Sequence, residues 1–183
     1  MLIVHLGLGG FFRAHQAWYT GAAPDAADWR IAAFTGRSRT LADQLNRQDG
    51  RYTLVVRGPA EDQMSVQRAV VEAHPGTDLS TWCDRLARPD VAVVTLTVTE
   101  AAYRRSADGG LDRDDPAVRA DLSGRAPTTV PGRLVAGLAI RPSPRRWLIR
   151  CAAAGWTSGG TRRPGTCRCP PTASPPTGRR CWT

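Results

Sequence analysis

An apolar run, Leu2 to Leu6, opens the chain and breaks at a glycine-rich turn at Gly7, Gly9 and Gly10. A helical pattern follows over residues 12–21, and Trp29 to Phe34 reads as a second strand. Residues 38–47 read as a short helix, with Leu41 and Leu45 one turn apart on one face. Tyr52 to Val56 is rich in strand formers, and Met64 to Val71 reads as its partner. Thr77 or Asp78 is placed to cap a helix that runs to Ala87. Val91 to Val98 is a near-continuous β-branched and apolar run, the pattern of a strand covered on both faces of a parallel sheet. Asp115-Pro116 opens a further helix, and Pro131-Gly132 another, with Leu134 and Leu138 on one face.

Strands alternating with helices predict an α/β fold, a doubly wound, mostly parallel sheet of Rossmann-like type. Ligands of such sheets bind beyond the C-terminal ends of the strands. Gly7 to Gly10 and Thr97 to Glu100 both fall at such ends and are expected to line one crevice. Strand, glycine turn and helix in succession form a setting for a dinucleotide pyrophosphate. Glycines let the backbone approach the phosphates, and a helix N-terminus offers free N–H groups. Gly7-x-Gly9 matches the first two glycines of that fingerprint, but the third position holds Phe12. The spacing alone is equally a tight turn of any fold.

Length and charge narrow the picture. The 183 residues suffice for one good core with an appendage. No apolar run is long enough to span a bilayer, and the first is too short and lacks the basic flank of a signal peptide. A cytoplasmic protein without membrane contact is the expectation. The net charge of +9 is unevenly divided: residues 1–121 hold 14 Arg and all 16 acidic residues, whereas 122–183 hold 11 Arg and no acid. There is no Lys anywhere, as very GC-rich coding tends to produce.

The segment Val4-His5-Leu6-Gly7-Leu8-Gly9-Gly10-Phe11-Phe12-Arg13-Ala14-His15-Gln16-Ala17, with the distant Leu96-Thr97-Val98-Thr99-Glu100 and Tyr103, resembles the mannitol dehydrogenase family of long-chain polyol and hexuronate dehydrogenases. Gly110-Leu111-Asp112, Asp121-Leu122 and Pro131-Gly132-x-Leu134 follow in that family's order, so the likeness covers residues 2–140. The resemblance implies an NAD(P)-dependent oxidoreductase that moves hydride between the nicotinamide and a sugar alcohol, ketose or hexuronate, without zinc. It implies a cofactor-binding N-terminal domain, here residues 1–140, and a helical substrate domain that carries a catalytic Lys with nearby Asn and His. On that basis Gly7, Gly9, Gly10, Phe11, Arg13, Arg37, Thr97 and Glu100 are the candidate cofactor-binding residues, and no catalytic residue is assigned.

Several of these residues have two readings. Arg13 either contacts the pyrophosphate or is a solvated residue of the first helical turn. Glu100 is read as an acid near the nicotinamide in preference to a solvated loop carboxylate. After the second strand, Phe34-Thr35-Gly36-Arg37-Ser38-Arg39 lacks the acid that grips an NAD ribose. Arg37 and Arg39 either hold an NADP 2′-phosphate or face solvent, so NAD and NADP both stay open.

The chain also departs from the family. Ala101-Ala102 stands where Lys-Gly is expected, and Phe12 often is His in relatives. Beyond Ile140 neither the Cys-Asp-Asn-Leu-Pro strand nor the Val-Asp-Arg signature follows. Residues 141–183 hold four of the five Cys and half of the Pro, with almost no apolar periodicity after Ile149. The expectation is a basic tail without stable structure, translated out of frame. Translation of the gene in the other two frames tests that. Cys151, Cys167, Cys169 and Cys181 lack the spacing of a zinc site, so no metal is expected. The tail's Arg residues predict salt-sensitive polyanion binding in vitro, not specific nucleic-acid recognition. Without Lys, only His15, read as a helix-start residue, and His74, read as a loop residue, remain as substitute bases. An active dehydrogenase and an inactive remnant with weak dinucleotide binding are the competing expectations. A sugar alcohol or uronate partners the chain only together with a substrate domain.

Overall fold

A computed structural model describes residues 1–140 and 149–151 of the chain. Strand β1 (Leu2–Leu6) is followed by two short helices, α1 (Gly10–Ala14) and α2 (Gln16–Ala22), and by β2 (Arg30–Phe34). Helix α3 (Thr40–Asn46) leads to an antiparallel hairpin of β3 (Tyr52–Val56) and β4 (Gln63–Gln67). Then come β5 (Val70–His74), α4 (Leu79–Ala87) and β6 (Val91–Leu96). Helices α5 (Pro116–Leu122) and α6 (Val130–Ala139) precede β7 (Ile149–Cys151).

The main sheet has the order β5-β2-β1-β6-β7, and every pairing in it is parallel. The chain builds outward from β1 to β5 and then crosses back to lay β6 on the other side of β1. That reversal makes the β1–β6 boundary the switch point, where a crevice opens beyond the strand ends.

Side chains alternate across a strand, so the unbroken run in β1 feeds two cores. Leu2, Val4 and Leu6 join Phe34, Trp82, Leu86, Val94 and Leu96 on the face covered by α4, with Leu134 of α6 packed against them. Ile3 joins Phe12, Ala17, Ile31, Ala42, Leu45 and Val70 on the face covered by α1, α2 and α3. Helices on both faces give the doubly wound α/β architecture that the alternation predicts.

The local signals work as chemistry requires. Asp78 caps α4 by accepting from the Thr81 N–H at 2.9 Å. Asp115 caps α5 by accepting from Ala117 and Val118, ahead of Pro116. Thr129 caps α6: its hydroxyl accepts from the Gly132 N–H at 3.1 Å and donates to Asp121 at 2.6 Å. A Cβ at Gly132 would lie 2.3 Å from that Asp121 carboxylate, which explains the glycine after Pro131.

Three expectations change. The helix expected over 12–21 is two helices, because His15 leaves helical geometry at φ −117° and ψ −80°. Met64 to Val71 is not one strand: it divides into β4, which closes the hairpin, and β5, which joins the main sheet. His74 is not a loop residue but the last residue of β5. The tail expected over 141–183 falls outside the described residues apart from β7, which pairs with Val94, Thr95 and Leu96. No helix among the described residues is long and apolar enough to cross a membrane.

Helices α4 and α6 touch through Gly137. A Cβ there would lie 2.1 Å from Leu86 Cδ1 and 2.9 Å from Trp82 Nε1, the atom that donates to the Arg133 carbonyl at 2.8 Å. Gly137→Ala is therefore expected to destabilise the fold by about 1–3 kcal/mol through overpacking. Urea denaturation read by far-UV circular dichroism checks this.

Candidate functional site

The ends of three strands meet at the glycine turn. The Gly7 and Leu8 amides both donate to the Phe34 carbonyl of β2, at 2.9 and 2.8 Å, and the Thr97 amide donates to the Leu6 carbonyl at 2.9 Å. Gly7 has φ +117°, and a Cβ on it would lie 2.1 Å from the Thr97 carbonyl oxygen. Only glycine accepts both that angle and that contact. The switch point is thus closed by backbone touching backbone.

Gly9 and Gly10 differ. A Cβ at Gly10 would meet nothing within 4 Å, and one at Gly9 only the Gly7 carbonyl at 3.6 Å. The protein's own packing does not require glycine at either position. Their bareness keeps the turn open where α1 begins, and the first amides of a helix have no partner one turn back. Open space and spare N–H groups fit a phosphate-bearing ligand.

Beneath the turn lies a polar layer that sequence reasoning missed. His5 is fully buried in β1. Its Nδ1 is 2.8 Å from Thr95 Oγ1 and its Nε2 is 2.9 Å from Thr97 Oγ1. Thr97 Oγ1 in turn donates to the Gly7 carbonyl at 2.8 Å, and Gln16 Nε2 donates to Thr95 Oγ1 at 2.8 Å. The imidazole stacks on Phe12 with ring centroids 3.7 Å apart. Burial holds its pKa down at about 3, against a weaker opposing effect of a hydrogen bond with the Gly7 backbone. A histidine in an otherwise apolar strand was the available signal. The same stack explains Phe12: where the fingerprint's third glycine lets helix and sheet touch, here an aromatic pair fills the gap.

The candidate residues from the sequence separate into groups. Gly7 and Thr97 are in direct contact, and the Thr97 hydroxyl is spent on the turn and on His5. Arg13 lies beside the turn, its Nε donating to the Gly9 carbonyl at 3.3 Å and its guanidinium 5.6 Å from the Tyr52 ring. Tyr52 secures this helix end by donating its hydroxyl to the Arg13 carbonyl at 2.6 Å. Burial, partly opposed by Arg13, pushes the Tyr52 pKa up to about 12, so the phenol remains a donor. Phe11 is half exposed and stacks on His15 at 4.3 Å.

Arg37 and Glu100 stand apart from this group, and no hydrogen bond or ion pair ties either to the turn. Arg37 is exposed in the loop after β2. Arg39 is engaged with Asp43 at 3.1 Å. Glu100 is exposed at the start of a 3-10 turn, Glu100–Tyr103. It borders a depression of about 570 Å³ with Arg104, Arg105, Asp112 and Asp115.

Each histidine considered as a base has one ring nitrogen engaged. His74 Nε2 is 3.0 Å from Glu72, which also takes both ends of a fork from Arg85 at 2.7 Å. His15 Nδ1 is 2.9 Å from the Phe11 carbonyl. Among the described residues no three His, Cys, Asp or Glu side chains gather as a metal site would require. The cysteines weighed for zinc fall outside the described side chains.

Sheet order and glycine turn together define a Rossmann domain. The chain belongs to the mannitol dehydrogenase family: the family's Mannitol dehydrogenase Rossmann domain matches residues 1–147. It is 36% identical over 148 residues to the D-mannonate oxidoreductase of Escherichia coli (strain K12) and 34% identical to the polyol:NADP oxidoreductase of Gluconobacter oxydans (strain 621H). Each match covers 76% of this chain and 30% of the relative. Among solved structures, Pseudomonas fluorescens mannitol 2-dehydrogenase, a ternary complex with NAD and D-mannitol, superposes with a TM-score of 0.70 at 34% identity. That match covers 76% of this chain and 30% of the other. The chain spans about 30% of the length of the curated relatives it matches.

The buried imidazole has a consequence for stability. His5 stays neutral in the folded protein down to about pH 3 but has its ordinary value of 6.5 when unfolded. Between these values the unfolded chain binds one more proton, so stability falls with pH by about 1.4 kcal/mol per unit. Glu72 is held down at about 2 by its His74 hydrogen bond and by Arg85, against an ordinary 4.5, so its loss begins only lower. Urea midpoints taken between pH 6.5 and 4.5 are expected to fall more steeply for the wild type than for His5→Leu. Equal slopes would contradict a buried neutral His5.

Proposed function

We propose that the crevice at the glycine turn binds NAD or NADP, and that the chain is the cofactor-binding part of an NAD(P)-dependent oxidoreductase acting on a sugar alcohol, ketose or hexuronate. The observation that carries this reading is the contrast among the glycines. Gly7 is demanded by contact with Thr97, whereas Gly9 and Gly10 leave open space that the protein does not fill. Gly7, Gly9, Gly10 and the first amides of α1 would receive the pyrophosphate, with Arg13 beside it as a balancing charge. Phe11, at the mouth of the turn, and Thr97, through its hold on Gly7, belong to the same cradle. Glu100, one loop beyond β6, is the acid nearest in sequence to the nicotinamide end. When bound, the nicotinamide supplies hydride transfer to or from the substrate carbon. The names of the relatives, which pair NAD with mannitol and NADP with polyols, support the same reading.

Turnover also needs a base for the hydroxyl proton. The chain has no Lys, His5 is sealed in the core, and His74 and His15 each have one ring nitrogen bonded, to Glu72 and to the Phe11 carbonyl. The chain alone is expected to bind dinucleotide without oxidising or reducing a sugar. Titration with NADH and NADPH, followed by intrinsic tryptophan fluorescence, should show saturable binding. Mannitol, arabinitol and fructuronate should give no change in absorbance at the nicotinamide band. Absence of saturable binding would sink the proposal, and turnover would overturn the inactive reading.

One observation favours NADP. The loop after β2 holds no acid, and of its two arginines only Arg37 has no ion pair. An unpaired guanidinium at that position suits a 2′-phosphate. NADPH is expected to bind about tenfold tighter than NADH, and Arg37→Ala to remove most of that difference, the effect of one charge-assisted contact. Equal affinities in the wild type would favour NAD.

A further inference from the structure

We propose that His5 is the positioning residue of the glycine turn: with Gln16, Thr95 and Thr97 it forms a one-way hydrogen-bond relay that holds the Gly7 carbonyl in the shape the dinucleotide needs. The proposal rests on the cofactor reading above and adds residues that do not line the crevice.

The direction of the relay follows from which atoms must donate. Gln16 Nε2 donates to Thr95 Oγ1, whose hydroxyl proton can then go to His5 Nδ1. Thr97 spends its hydroxyl proton on the Gly7 carbonyl, so it accepts from His5 Nε2–H. Each hydroxyl accepts once and donates once, the Gly7 carbonyl also takes the His5 hydrogen bond described above, and the neutral Nε2–H tautomer completes the chain. Protonation at Nδ1 in place of Nε2 would leave Nε2 without a proton to give Thr97, whose own proton is spent on Gly7, and break the relay.

The surroundings favour that neutral form. The imidazole is enclosed by Phe12 of α1, by Ala33 and Thr95 beside it in register on β2 and β6, and by Gln16 of α2. The only charged residue of α1, Arg13, is turned to Gly9 and Tyr52. The only charged residue of β2, Arg30, sits at the far end, opposite Leu2. Neither β6 nor α2 carries a charge. His15, between α1 and α2, is bonded to the Phe11 carbonyl. Burial accounts for the depressed pKa, and no carboxylate offsets it.

The relay spans the switch point. It begins on α2, crosses β1 and β6, and ends on the carbonyl of Gly7, whose φ of +117° side chains rarely adopt. A turn with spare conformational freedom would have to be ordered each time a ligand bound, and that ordering lowers affinity. The relay orders it in advance.

Thr97→Val and Thr97→Ser in the full 183-residue chain test this, with NADPH and NADH titrations at pH 7. Valine removes the hydroxyl and strands both His5 Nε2–H and the Gly7 carbonyl. Affinity should fall about tenfold, the effect of one buried hydrogen bond, whereas serine should restore it to within about twofold. His5→Leu should weaken binding similarly, and combining it with Thr97→Val should add little, since both cut one relay. Nitrogen-15 NMR of the wild-type imidazole should show a bare Nδ1 and a protonated Nε2 across pH 5–8. Wild-type affinity retained in folded Thr97→Val overturns the proposal and leaves the cofactor reading intact. No binding by the wild type overturns both. Should Thr97→Val fail to fold, the tautomer decides: Nδ1–H or an imidazolium at pH 7 overturns the relay.

Discussion

The contact on which the structure depends is the one between Gly7 and Thr97. Two parallel strands that are distant in sequence, β1 and β6, end side by side, and their backbones come too close for a side chain between them. That closeness forces Gly7 into positive φ, turns the chain sharply, and starts α1 directly over the strand ends. Because the Gly7 and Leu8 amides also reach the Phe34 carbonyl, β2 is tied into the same knot. Three strands therefore define one small volume, and a ligand bound there meets backbone from each.

Beneath that knot the protein accepts a cost. A buried imidazole, two hydroxyls and an amide lie in a layer that hydrophobic side chains could fill, and an unpaired group there would be strongly destabilising. Every member is paired, so the layer is rigid and directional. Phe12 belongs to the same solution: the helix stands off the sheet, and the ring seals the imidazole from above. The incomplete glycine fingerprint is a different packing of the same element, with an aromatic stack in place of a helix–strand contact.

Electrostatics divides labour along the chain. Some charges of the described domain form local pairs, Glu72 with Arg85 and His74, Arg88 with Asp90, and Arg104 with Asp115. Arg13 and Arg37 are two of the arginines outside such pairs, and they lie by the turn and beyond β2. Their place at the strand ends is where an anionic ligand would use a cation. The net positive charge of the whole chain says little about this region, since it comes from residues 122–183.

Much of the fold was legible in the residues. Continuous apolar runs marked β1 and β6 because both faces of those strands are covered, and Asp78 and Asp115 marked helix starts because a carboxylate satisfies free amides. Hidden were the break at His15, which depends on tertiary packing of α1, and the division of Met64 to Val71, whose composition suits a hairpin and a central strand equally. His5 stayed hidden because a polar residue in an apolar run has no readable meaning until its partners, 90 and 92 positions away, are in place. By itself the sequence determined the architecture, the switch point and the family, since these follow from periodicity, turn chemistry and local motif. Only the tertiary structure decided which glycines are required by contact and which leave room, and which hydroxyls face the crevice and which hold it. Those distinctions are set by distances between strands that the chain brings together only on folding.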